Sequence, residues 1–122
     1  MTGMTAGDAD PGPRRGSARI RISDNTDSRS YDALIDGHIA ATIVYEHAGS
    51  GRIVFTHTIV EPQFRGQGVG TALTQGALDD VRAKGLTLTN FCDFVARYIQ
   101  THPEYLDLLD PQHPGPVLGK QS

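Results

Sequence analysis

The chain of 122 residues has one cysteine, Cys92, so no disulfide within it can staple the fold. It lacks any apolar run near the ~20 residues of a membrane-spanning helix. It also lacks basicity: 11 Lys and Arg stand against 14 Asp and Glu, for a formal net charge of −3. A broad nucleic-acid surface is thereby excluded, and a negatively charged ligand must be held by a few local donors. The five histidines show no metal-ligand spacing, so no metal site is expected. The opening residues hold Gly, Pro, Asp and Arg but no apolar segment of a secretory leader. The expected setting is the reducing cytoplasm, with no membrane partner.

What is present suffices for one domain with a modest core, since 38% of the residues are hydrophobic. Residues 1–17 offer almost nothing to bury and are expected to be a disordered tail; 111–122, with three prolines, are expected to be loose. The working domain is 18–110. Residues 18–23 alternate apolar and polar, and 30–35, 39–47 and 52–60 are further strand patterns. The Asp36-Gly37 pair marks a tight hairpin and Gly49-Ser50-Gly51 another turn, so the four strands form an antiparallel meander. Beyond Pro62 the period changes. Val69, Ala72, Leu73, Gly76, Ala77 and Val81 share one helical face, and Lys84-Gly85 ends it. A fifth strand is read at 86–91. Phe91, Phe94, Val95, Tyr98, Ile99 and His102 then mark one face of a second helix, stopped by Pro103.

Strand 52–60, helix 69–84 and strand 86–91 make a β-α-β unit, so these two strands should be parallel. The loop entering its helix reads Arg65-Gly66-Gln67-Gly68-Val69-Gly70. Glycines allow close backbone approach, the free amides of a helix start attract phosphate, and Arg65 adds a fixed charge. A nucleotide P-loop is excluded because no Lys-Ser or Lys-Thr occurs. A dinucleotide fingerprint needs G-x-G-x-x-G, whereas the spacing here is G-x-G-x-G. A phosphate-holding loop and a glycine-rich turn that binds nothing remain.

Arg65-x-x-Gly68-x-Gly70, placed after a strand and opening a helix, resembles the acetyl-CoA signature of the GNAT superfamily of N-acetyltransferases. The resemblance spans about residues 18–109. It extends to His57-Thr58, Asn90, Cys92, Phe94-Val95, Tyr98-Ile99 and His102-Pro103-Glu104-Tyr105, as in the minimal group of about a hundred residues. It implies an α/β mixed sheet, strands one to four antiparallel and strand five parallel to strand four, with helices at 69–84 and 92–102. It implies acetyl-CoA (coenzyme A) as cofactor. Arg65, Gly66, Gln67, Gly68, Val69, Gly70 and Thr71 would hold its pyrophosphate, the main chain of Thr58, Ile59 and Val60 its pantetheine arm, and Asn90 belongs with the same set. Too few residues follow the second helix for the two further strands of larger members, which leaves the acceptor groove open.

Three side chains are candidates for chemistry. With Asn90 as N-cap, Cys92 would be the second helical residue, where the helix start favours thiolate, although Asp93 opposes it. It would lie beside the CoA sulfur, or act as an acyl acceptor; otherwise it is a small half-buried cysteine. By strict alternation His57 shares a face with Ile53, Phe55 and Ile59, as a base or as a core histidine. Tyr98 either packs in the core or protonates the leaving thiolate, as a tyrosine on this helix does in many members of the superfamily; its spacing from Asn90 is one residue off the common one. His102, Glu104 and Tyr105 are read as docking the chain end. The expected activity is acetyl-CoA-dependent N-acetyl transfer to an amine, small molecule or protein lysine, within a ternary complex. The alternatives are a non-catalytic acyl-CoA-binding protein and a scaffold.

Overall fold

The computed structural model describes residues 20–116. Five strands and two helices alternate as β1 (Ile20–Asn25), β2 (Ser30–Ile35), β3 (His38–Ala48), β4 (Arg52–Val60), α1 (Val69–Ala83), β5 (Thr87–Asn90) and α2 (Asp93–Thr101). Short 3-10 turns occupy Pro62–Phe64 and Pro103–Leu108. The sheet order is β1-β2-β3-β4-β5, antiparallel up to β4 and parallel between β4 and β5. The expected architecture is therefore the observed one. Asp36 and Gly37 both adopt positive φ (51° and 82°), the primed turn that matches strand twist and makes the β2–β3 hairpin tight.

α1 lies across β1, β2 and β3. Its stripe of Val69, Leu73, Ala77, Leu78 and Val81 is buried against Tyr31, Ala33, Ile43, Tyr45, Ile53 and Phe55. The helix ends as its residues dictate. Gly85 takes φ 71°, and Leu86 N donates to Val81 O, closing the last turn. The two core tyrosines reach out to acids beside α1: Tyr31 donates to Asp80 (2.6 Å) and Tyr45 to Asp24 (2.6 Å), with Lys84 pairing both carboxylates. Buried phenols need such partners. Arg82 grips Asp107 with two bonds and Tyr105 donates to Asp79 (2.7 Å), so the last 3-10 turn is docked on α1.

Four expectations need correction here. Residues 111–116, expected to be loose, run as a strap along β5. Asp110 N donates to Leu88 O, Asn90 N to Pro114 O, and the Thr89 hydroxyl to His113 O. A short strand with one open edge needs such cover. Residues 1–17 and 117–122 lie outside the described residues. Next, Asn90 is not the cap of α2. It is the last residue of β5, paired with Phe55, and the N-cap is Cys92. The third correction concerns α2, where Phe91 and Phe94 do not join the buried face of Val95, Tyr98 and Ile99 but are 54% and 37% exposed. The fourth falls on His57 and sets up the site.

Candidate cofactor and active site

β4 does not alternate cleanly along its length. A bulge lies where β3 passes from Val44 to Tyr45, so His57 opposes Val44 and Phe55 opposes Tyr45, with Thr56 as the extra residue. One inserted residue reverses the phase of every side chain after it. Ile53 and Phe55 are buried against α1, but beyond the bulge it is Thr58 and Val60 that share the helix side, opposite Ile43 and Ala41. His57 and Ile59, expected beside Phe55, are turned to the other face and exposed. The His57 imidazole lies 3.3 Å from the Thr56 hydroxyl.

The same strand also loses its neighbour. β5 pairs with β4 only from Arg52 to Phe55, and the last contact is Phe91 N donating to Phe55 O (2.9 Å). There the chain turns into α2. From Thr56 onward the β4 edge has no strand beside it among the described residues. A cleft of roughly 440 Å³ opens along that edge, lined by Thr58, Val60, Phe64, Phe94, Arg65 and Gly66 of the loop, and the helix start from Gly68 to Thr71.

At its far end the glycine loop presents donors. Gly66 and Gly68 take positive φ (80° and 79°), a conformation that side chains with a Cβ resist. This turn carries the chain into α1, whose first turn closes with Ala72 N donating to Gly68 O (3.0 Å). The amides of residues 67–70 find no backbone acceptor among the described residues. Gly70 has a different reason to be glycine. A Cβ there would stand 2.7 Å from the Phe94 ring, which roofs the cleft. Arg65 lines the cleft and is exposed, and its side chain makes no hydrogen bond or ion pair among the described residues. Gln67 turns its side chain back to Gln63 O.

Asn90 and Cys92 sit at the corner between β5 and α2. The Asn90 amide bonds both Cys92 N (3.1 Å) and Cys92 O (3.0 Å), fixing the strand-to-helix corner. Cys92 is 4% exposed. Burial pushes its thiol up, the neighbouring Thr58 hydroxyl pulls it partly back, and Asp93 pushes it up again. Burial, the largest of these, works against the thiolate that a helix start would favour. Thr58 Oγ1 is itself buried and has no well-formed hydrogen bond. Tyr98 does not line the cleft. It stacks on His102 at 3.9 Å between ring centroids and borders a separate groove with Thr71, Phe94 and Arg97. Burial, then Asp79 and Glu104, push its hydroxyl up.

The residues that the sequence singled out therefore divide. Thr58, Val60, Arg65, Gly66, Gly68, Val69, Gly70 and Thr71 line one cleft, Cys92 is buried beside Thr58, Asn90 borders a different pocket, and His57, Ile59, Gln67 and Tyr98 lie off the cleft. Phe64 and the roof role of Phe94 were missed, and the one available signal was a glycine, Gly70, in the first turn of α1, where a close approach from another element is accommodated. Unpaired amides at one end, an open strand edge between and a buried hydroxyl at the other fit a ligand with a diphosphate and an amide-bearing arm.

A mixed sheet parted between two parallel strands, with a glycine-rich helix start at the gap, defines the acyltransferase-like fold. Comparison agrees. The model of the family described as GCN5-related N-acetyl-transferase matches residues 30–108, and the chain belongs to that family. Protein NATD1 of Xenopus tropicalis is 30% identical over 98 residues, covering 78% of this chain and 90% of that protein. Protein NATD1 of Homo sapiens is 30% identical over 95 residues, covering 75% and 84%. Among solved structures, a GCN5-like candidate N-acetyltransferase from Staphylococcus aureus superposes with a TM-score of 0.57 at 22% identity, over 79% of this chain and 96% of that one. That likeness supports the fold.

Proposed function

We propose that the chain is an acetyl-CoA-dependent N-acetyltransferase that transfers directly to an amine, without an acyl-cysteine. The observation that carries this is the run of acceptorless amides at 67–70 beside the unpartnered edge of β4. Those amides and Arg65 hold the diphosphate, aided by the positive end of α1. The open edge at 58–60 takes the arm as a strand takes a neighbour, through main-chain bonds. When bound, the cofactor supplies an activated thioester. The buried Cys92 thiol, pushed up, is a poor nucleophile and packs beside Thr58. Among the described residues only a 3-10 turn and the strap follow α2, so an amine on a bulky molecule can approach.

The test has two stages. Acetyl-CoA should raise the melting temperature while ATP and NAD do not, since saturation to 100 Kd stabilises by about 2.7 kcal/mol. Free thiol should then be released when amines are screened. No thermal shift removes the cofactor reading. A shift without thiol release from any amine leaves an acyl-CoA-binding protein.

A further inference from the structure

Thr58 has a feature that its place in the strand does not require. Past the bulge at Thr56 it stands among the cleft-lining residues, with its Oγ1 buried just behind the wall beside Cys92 and making no well-formed hydrogen bond. The neighbour it does touch is the Cys92 thiol, a weak partner for a hydroxyl. Buried polar groups left unpaired lower stability, so a protein retains one where a ligand completes it. The other side chains along this part of the cleft, Val60, Phe64, Val69 and Phe94, are apolar, while Arg65 and Thr71 belong to the glycine loop and helix start. Thr58 lies two residues before Val60 on the same face, about 7 Å deeper along the strand from the diphosphate end.

Resting on the acyl-CoA reading, we propose that Thr58 recognises the acyl group: its hydroxyl donates to the thioester carbonyl of a bound acyl-CoA. Free CoA has no carbonyl at that position. The cleft therefore prefers the loaded cofactor and releases the spent one, a discrimination that the loop amides cannot make because both forms carry the same diphosphate.

Three proteins test this: wild type, Thr58→Val, which removes the hydroxyl at nearly constant shape, and Thr58→Ser, which keeps it. Calorimetric Kd values for acetyl-CoA and for CoA are compared, with the melting temperature of each free protein. Wild type and Thr58→Ser should bind acetyl-CoA about tenfold more tightly than CoA. Thr58→Val should bind both nearly equally and, free of ligand, should melt no lower than wild type. A Thr58→Val protein that keeps the preference overturns the assignment. So does one that melts several degrees lower, because its hydroxyl was then already satisfied. Wild type that binds neither form overturns the acyl-CoA reading itself, whereas binding of both without discrimination overturns only the role of Thr58.

Discussion

The two halves of β4 are built to opposite ends. From Arg52 to Phe55 the strand has a neighbour on each edge, and its inward side chains Ile53 and Phe55 are 1% and 0% exposed. From Thr56 to Val60 it has β3 on one edge alone, no residue is fully buried, and a cleft replaces the core. One half contributes stability; the other gives up packing and a ladder of hydrogen bonds so that a ligand can supply them. A single inserted residue, Thr56, separates the two.

The comparison breaks most visibly at Phe55, which packs edge-on against Tyr31 at 6.0 Å. Phe55→Ala should cost about 3–5 kcal/mol, read from urea unfolding. The matching truncation Val60→Ala, in the half-buried open part, should cost well under half of that. Equal losses would mean that the halves do not differ as described. Removing Thr56 acts on the boundary instead. Deleting this extra residue closes the bulge and leaves His57 opposite Val44, with Thr58 and Val60 still on the helix side. Affinity for acetyl-CoA, by calorimetry, should therefore change by less than tenfold, about 1.4 kcal/mol. A larger loss would show that the bulge itself, and not the faces of Thr58 and Val60, shapes the cleft.

Why some of this was legible in the sequence, and some not, follows from the same boundary. Strands 30–35 and 52–60, the Asp36-Gly37 hairpin and the Gly85 stop come from local rules: period, positive φ and capping. The glycine loop was legible for the same reason, because its backbone conformation is written in its own residues. The bulge was not. Thr56 reads as an ordinary strand residue, and only the register across the sheet, with Val44 opposite His57 and Tyr45 opposite Phe55, shows that it is extra, so His57 was placed on the wrong face. The depth at which Cys92 lies was not legible either, because its neighbours Thr58 and Asn90 come from two different strands. The strap at 110–116 has no periodicity, and its bonds go to whatever edge β5 leaves open.

At the mouth of the open half, Arg65 sharpens the contrast with a smaller effect. Its side chain is exposed and unpaired among the described residues, so Arg65→Ala should leave the melting temperature within about a degree. The affinity for CoA should drop about tenfold, the loss of one charge-assisted contact, and the difference should shrink as salt is raised. An affinity that does not change would place the diphosphate elsewhere. Gly68→Ala, with φ at 79°, should instead cost about 1–2 kcal/mol of stability together with affinity, since strain and donor geometry change at once.

The smallest effect belongs to the closed half and is seen only in alkali. Tyr45 stands opposite Phe55, and burial, then its bond to Asp24, raise its hydroxyl from 10.0 to about 12. An unfolded tyrosine loses its proton near pH 10. The stability contributed by this group is therefore fully present below pH 10 and is lost as pH rises from 10 through 12, where the unfolded chain has released a proton that the native state still holds. Tyr31 and Lys84 are raised in the same direction. Tyr45→Phe should lose about 1 kcal/mol at pH 8, for the missing hydrogen bond, and its stability should fall less steeply than wild type above pH 10. Urea midpoints between pH 8 and 11.5 read the slope, which can differ by at most one proton, about 1.4 kcal/mol per pH unit. Because the open half takes no part in this network, acetyl-CoA affinity at pH 8 should match wild type. Parallel slopes for the two proteins would mean that Tyr45 already titrates in the native state as freely as in the unfolded chain.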